Sequence, residues 1–268
     1  YFNPLADLGE TRRQDWFSCA CCPPNLLRLL LSIPGYFYCI SQRGVYVNFY
    51  ATSEAEINYN GLIIQINQKT EYPWSGDIKL EINPMKEEEF SIFLRVPEWS
   101  EGAKIILDNK KIVSNSSGYV EVRKVWHQGD RLKVIFKMPI RSIVSHPHVS
   151  NNFARIALKR GPIVYCLEQI DNPEADLWNI MITNLSKLTS KYEPKLLGGI
   201  VTISGEGTAF NQMVWRNKLY TPLERLNMKN KRIRIKAIPY YGWGNREPGP
   251  MVIWIPCADL MKSITKKG

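Results

Sequence analysis

No uninterrupted apolar run in this chain approaches the roughly 20 residues that a membrane-spanning helix needs, so the sequence predicts no membrane span. No basic-then-apolar leader precedes Tyr1, which reads as a processed or truncated start. Histidine is scarce, at three in 268 residues. Of the six cysteines, Cys19, Cys21 and Cys22 crowd together, while Cys39, Cys166 and Cys257 are scattered. That distribution is not a disulfide framework, and unbridged thiols favour a reducing, cytoplasmic setting. No pair of carboxylates stands out as an acid/base couple, and Glu87-Glu88-Glu89 reads as a solvated loop. Nucleic-acid signatures are missing as well. The net charge is +10, but lysine and arginine are dispersed. The densest run, Lys231-Arg232-Ile233-Arg234-Ile235-Lys236, alternates as a strand with one solvated face does, so no nucleic-acid partner is expected.

What is present is a folding composition, 44% hydrophobic and 22% charged, with a period of two that runs almost to the C terminus. It begins after Tyr36 with Gly44 to Tyr50 and continues through Leu62 to Ile66, Ile78 to Ile82 and Phe90 to Val96. Breaks fall at Asn60-Gly61, Ser75-Gly76, Asn83-Pro84 and Pro97. Pro139 ends a later run, and Ser142 to Asn152 has no periodicity, so a boundary is placed there. The sequence therefore predicts a mainly β protein with two consecutive β-sandwich or jelly-roll domains, 37–142 and 143–262, behind a helical segment 1–36. A tail, 263–268, should fray from about Lys262.

The chemistry concentrates in Asp15-Trp16-Phe17-Ser18-Cys19-Ala20-Cys21-Cys22-Pro23-Pro24-Asn25 and the leucine-rich run that follows. Proline suits the first helical turn, where its missing N–H is not needed, and Pro34-Gly35 marks a stop. Cys21 and Cys22 therefore lie at a helix N-terminus, where orphan N–H groups and the helix dipole favour negative charge. A thiolate there is both a nucleophile and a metal ligand. Two adjacent cysteines can share one zinc, although a full site needs about four ligands. A strained vicinal disulfide and ordinary packing are the alternatives.

The elements Asn3-Pro4-Leu5, Trp16-Phe17, Cys19-Ala20-Cys21-Cys22-Pro23-Pro24-Asn25 and Arg28 resemble the signature at the end of the catalytic barrel of the β-L-arabinofuranosidase family of glycoside hydrolases, family 127. Gly118-Tyr119 to Asp130, Arg160 to Glu168 and Ile238 to Arg246 resemble later stretches of that family, in the same order. The resemblance implies a retaining exo-glycosidase acting on an L-arabinofuranose-containing glycan or small glycoside. It implies zinc as cofactor, Cys21 as zinc-bound nucleophile, Cys22 as a second zinc ligand and Tyr1 as a substrate contact, and it leaves a homodimer open. It further implies that residues 1–36 close an (α/α)6 barrel whose acid/base glutamate, remaining zinc ligands and sugar-holding histidines precede Tyr1. The 268 residues alone are then expected to be inactive.

Other candidates have plainer readings. His146-Pro147-His148 puts two imidazoles on an extended segment without a third ligand, and Gly205-Glu206-Gly207 reads as a turn. Tyr240, Tyr241 and Trp243 beside Asn245-Arg246 suggest a sugar-stacking platform or, preferably, a structural corner. Cys19 is assigned to packing, and Asn25 and Arg28 to bracing the helix start. Two rival functions remain: a non-catalytic carbohydrate-binding β module, and a thiol metal or redox site on a β scaffold.

Overall fold

The computed structural model describes residues 3–16, 18, 21–108, 110–210, 218–222, 224 and 230–265. The chain divides into two units, one of residues 17–139 and one of residues 1–16 with 140–268. It enters through β1 (Ala6–Leu8), whose partner lies far along the sequence. It then forms α1 (Cys22–Ser32) and a 3₁₀ turn, Ile33–Tyr36. The segment expected as one piece, 1–36, is thus shared between the two units.

The unit of residues 17–139 is a β-sandwich. Its strands are β2 (Tyr38–Ser41), β3 (Gly44–Val47), β4 (Ser53–Tyr59), β5 (Leu62–Thr70), β6 (Asp77–Pro84), β7 (Glu88–Val96), β8 (Ala103–Leu107), β9 (Lys110–Ser114), β10 (Gly118–Trp126) and β11 (Asp130–Ile135). They form a four-stranded sheet, β10-β7-β3-β2, and a six-stranded sheet, β4-β5-β6-β11-β8-β9. Alternate residues of both sheets point into one core, with Val45, Ile92 and Leu94 from the first and Ile64, Ile66, Leu80 and Val134 from the second. In β5, β6 and β11 period two thus becomes one dry face and one wet face, whereas Phe90 to Leu94 of β7 are buried on both. Trp126 is fully buried in this core, and its indole N–H donates to the Phe90 carbonyl at 2.9 Å. Gly44 lies so close to β7 that a Cβ would come within 2.2 Å of the Ser91 carbonyl oxygen.

The β4–β5 hairpin shows how a turn sets register. Tyr59 pairs with Leu62 across a two-residue loop in which Asn60 and Gly61 have φ of 51° and 87°. Positive φ at both positions matches the twist of the flanking strands, and the Asn58 side chain accepts from the Gly61 N–H at 2.9 Å. Gly61→Ala is expected to lower stability by about 1–2 kcal/mol, the penalty of a Cβ in left-handed backbone, which a urea titration would read. An unchanged midpoint would show that the loop relaxes freely.

The second unit is built on β12 (Ile140–Ile143), β13 (Arg155–Arg160), β14 (Ile163–Glu168), β15 (Ile180–Ile182), β16 (Thr189–Glu193), β17 (Ile200–Phe210), β18 (Asn230–Pro239), β19 (Pro250–Val252) and β20 (Ile255–Pro256), and it ends in α2 (Ala258–Thr265). The path β1-β19-β14-β18-β17-β15 carries its ten-stranded sheet, and Leu167, Ile203, Ile235 and Ile255 sit in its core. β1 is held at the edge of this sheet by pairing of Ala6 to Leu8 with β19. Just beyond, the Asp7 side chain accepts from the Gly9 N–H at 2.7 Å and from the Thr11 hydroxyl.

Two expectations are corrected here. Gly205-Glu206-Gly207 lies inside β17 and is no turn. A Cβ on Gly205 would meet Leu188 Cδ2 at 2.5 Å and one on Gly207 the Met181 carbonyl oxygen at 3.0 Å, so these glycines admit close neighbours over a strand. At the C terminus, residues expected to fray from Lys262 are helical as far as Thr265. The Asp259 carboxylate accepts from the Leu185 N–H at 2.9 Å and ties this helix down. No helix among the described residues is long and apolar enough to cross a membrane.

Candidate functional site

Cys21 caps α1 and Cys22 opens it, with prolines in the first turn. The two sulfurs lie 3.6 Å apart and both residues are exposed. At that separation they are thiols, since a disulfide holds its sulfurs at about 2.05 Å, so the vicinal disulfide drops out. The Asn25 N–H donates to the Cys21 carbonyl at 3.4 Å, and Arg28 donates to the Asn25 side chain at 3.3 Å. Tyr1 and Cys19 lie outside the described residues.

This donor set fits part of a zinc site. Zinc–sulfur bonds of about 2.3 Å at tetrahedral angles place two sulfurs about 3.8 Å apart, close to the 3.6 Å seen between Cys21 and Cys22. Among the described residues, no group of three or more His, Cys, Asp or Glu is gathered closely enough to hold a metal. Of the other cysteines, Cys39 is exposed, while Cys166 and Cys257 are buried. Burial, reinforced by the neighbouring Glu168 carboxylate, pushes the Cys166 thiol far above its ordinary range, which makes it a packing residue.

Downstream of the thiols, α1 presents Leu26, Leu27, Leu29, Leu30 and Leu31, each more than half exposed. A contiguous leucine surface of this kind is unusual for a finished fold.

The second unit gathers two of the motifs picked out in the sequence. Glu168 ends β14, and its carboxylate receives the Arg246 guanidinium and the Gly244 N–H, the latter at 3.0 Å. The same guanidinium reaches both oxygens of Asp171. Lys236 lies 3.7 Å from Asp171 and 3.1 Å from Glu193. Asn172 closes the network by donating to the Glu168 and Lys236 carbonyls at 2.8 and 2.9 Å. Glu168 and Asp171 are the carboxylate pair that sequence reading missed, and they are clasped by an arginine, beside a cavity of about 270 Å³ that Glu168 and Arg246 help to line. The signal was available only as a Glu and an Arg at the ends of two separate motifs.

The aromatic segment beside this network is a corner of the fold. Trp243 is buried, stacks on Tyr240 at 6.1 Å with planes 7° apart, and lies 5.5 Å under the Arg13 guanidinium. Arg13 also donates twice to the Trp243 carbonyl, at 3.0 and 2.8 Å, and the Tyr240 hydroxyl donates to the Pro4 carbonyl at 2.8 Å. These contacts strap residues 4–13 to the second unit and leave only Tyr241 of the trio exposed. His146 and His148 sit in an exposed segment with rings 4.8 Å apart, and the His148 N–H donates to His146 Nδ1 at 3.2 Å.

Two family models match the chain: the glycoside hydrolase family 127 C-terminal domain over residues 140–256, and the β-L-arabinofuranosidase family 127 middle domain over residues 44–138. A non-reducing end β-L-arabinofuranosidase of Bifidobacterium longum subsp. longum is 30% identical over 264 residues, covering 94% of this chain and 39% of that protein. The crystal structure of a family 127 β-L-arabinofuranosidase from Geobacillus stearothermophilus T6 is 38% identical with a TM-score of 0.86, covering 96% of this chain and 42% of that one. A further structure, of a family 127 β-arabinofuranosidase, is 30% identical with a TM-score of 0.84, covering 97% and 42%. The chain thus spans about two-fifths of the length of these relatives.

Proposed function

Because the chain belongs to glycoside hydrolase family 127, as the C-terminal part of such a protein, we propose that it contributes a zinc-held cysteine nucleophile to a retaining exo-glycosidase that releases terminal β-L-arabinofuranose. The observation that carries this reading is the pair of exposed thiols 3.6 Å apart at a helix N-terminus. Cys21 is the nucleophile and a zinc ligand, Cys22 is a second ligand, and Tyr1 contacts the sugar. Zinc, when bound, keeps sulfur deprotonated and makes thiolate a better leaving group.

Cys21 Sγ attacks the anomeric carbon of the terminal sugar. A C–S bond forms as the C–O bond to the aglycone breaks, and the departing oxygen takes a proton from a carboxylic acid outside these 268 residues. Water then gives a proton to the resulting carboxylate and attacks the same carbon, and the electron pair of the C–S bond returns to sulfur. Two inversions give net retention. The positive end of α1 assists both steps by favouring negative charge at its first residues. The thiols call for a reducing compartment, since an exposed vicinal pair is readily oxidised.

The ligand count tests this directly. With two of about four zinc ligands, the 268-residue chain is expected to bind zinc weakly, to yield it to a chromophoric chelator, and to give no turnover of an aryl β-L-arabinofuranoside. A missing proton donor alone removes roughly 10² to 10⁴ in rate. The exposed leucines of α1 should also promote self-association, visible in light scattering. Tight stoichiometric zinc together with measurable turnover would overturn the reading that the site is shared with residues outside this chain.

A further inference from the structure

The outer face of the six-stranded sheet holds a groove of about 1240 Å³ crossing β4, β5, β6, β11 and β8. Register places Lys69 of β5 opposite Lys79 of β6, and Lys79 opposite Lys133 of β11. Their sequence neighbours Gln68, Leu80 and Leu132 are buried in the core, so the three lysines line the groove on the opposite face. Like charges directly opposite one another weaken a sheet. This row is therefore one that folding by itself disfavours.

Most of the carboxylates around the groove already have a cationic partner, Asp108 meeting Lys124 at 2.8 Å, while Glu54 in the lining has no ion pair among the described residues. Lys133 meets Asp77 at 2.8 Å, Glu81 meets Arg131 at 3.2 Å, and Asp130 meets Lys124 at 3.1 Å. Among the described residues, no carboxylate lies within ion-pair distance of Lys69 or Lys79. Asn67 adds a hydrogen-bonding group to the lining, the Thr52 hydroxyl there is bonded to the Thr70 backbone, and none of the lining side chains is aromatic.

We propose that this groove binds an anionic oligosaccharide, a uronate-bearing stretch of glycan, through Lys69, Lys79 and Lys133. Adjacent strands lie about 4.8 Å apart, so the ammonium groups form a ladder that carboxylates on successive or alternate sugar rings can meet. The groove exceeds the roughly 300–1,000 Å³ of small-ligand pockets, which suits a chain of sugars. Without an aromatic ring to stack bases, it lacks what holds single-stranded nucleic acid. The choice of a glycan among polyanions rests on the proposed glycosidase reading. The site itself is far from that chemistry in sequence and needs neither zinc nor Cys21.

The test is calorimetric titration of the 268-residue chain with an oligogalacturonate, a neutral arabino-oligosaccharide of the same length and an oligodeoxythymidylate. The expected result is binding of the oligogalacturonate alone, weakening as salt is raised. A Lys69→Gln/Lys79→Gln variant should lose at least tenfold in affinity with an unchanged or higher Tm. Lys79→Glu, which relieves the like-charge row, should fold at least as well and bind more weakly still. Cys21→Ser should bind as the parent does, which separates this site from the nucleophile and lets either proposal fail alone. Absent uronate binding, uronate binding unaffected by the lysine variants, or equal affinity for the oligodeoxythymidylate would overturn the proposal.

Discussion

Replacing Cys21 by serine in the complete enzyme is expected to abolish hydrolysis of an aryl β-L-arabinofuranoside, a loss on the order of 10³-fold or more, because the proposed carrier of a covalent intermediate has no substitute. Serine keeps the size of the side chain and removes the soft, easily ionised sulfur. Cys22→Ser should behave differently. In the proposed reading its sulfur is a fixed ligand, so the expected defect is at least ~10-fold weaker zinc affinity with activity partly restored by added zinc. The two sulfurs stand 3.6 Å apart on one exposed helix start, so proximity alone does not say which is the nucleophile. Intact-mass analysis and peptide mapping after reaction with a slow substrate analogue would decide the matter. A sugar adduct on Cys22, or on any residue other than Cys21, contradicts the assignment.

The β architecture was legible because its cause is local. Alternation in Leu62 to Ile66 or Ile78 to Ile82 has one physical solution when one face must be dry, and Asn60-Gly61 announces its own turn. The helix start at Cys21 was legible for the same reason, since two prolines tolerate few other positions. What could not be read depends on distant partners. Gly205 and Gly207 look like a turn until Leu188 and Met181 are seen packed over them. Residues 4–13 look continuous with the thiol motif, yet they are bound by Arg13 and Tyr240 to a unit that begins at residue 140. The carboxylates of Glu168 and Asp171 looked unremarkable because the arginine that joins them is 75 or more positions away. The rest of the proposed metal site was not legible within this chain for a simpler reason: among the described residues, no third ligand joins the two thiols.

That arginine carries the largest expected stability effect. Arg246→Ala removes the guanidinium that bridges Glu168 and Asp171, whose side chains are 6% and 9% exposed. Two carboxylates would be left facing each other with little water to solvate them. Breaking a buried pair from one side costs about 3–5 kcal/mol, because the charge left behind has lost its compensation. For a unit of this size that corresponds to a fall in Tm on the order of 10 °C. Lys236, 3.7 Å from Asp171 but already 3.1 Å from Glu193, can replace only part of the lost charge. Arg246→Lys should fall between, since an ammonium retains the charge but not the planar fork that serves both carboxylates. Glu168→Gln keeps an acceptor for the Gly244 N–H while removing one charge, so Glu168→Gln/Arg246→Met should lose less than the two single changes together. Thermal and urea unfolding of the parent, Glu168→Gln, Arg246→Met and the double variant forms a cycle with an expected coupling of roughly 1–3 kcal/mol. A loss below about 1 kcal/mol for Arg246→Ala would place the cluster among solvated surface pairs. The join between the Arg160 to Glu168 and Ile238 to Arg246 motifs would then have to rest on the Tyr240–Trp243–Arg13 stack and the β14–β18 ladder alone.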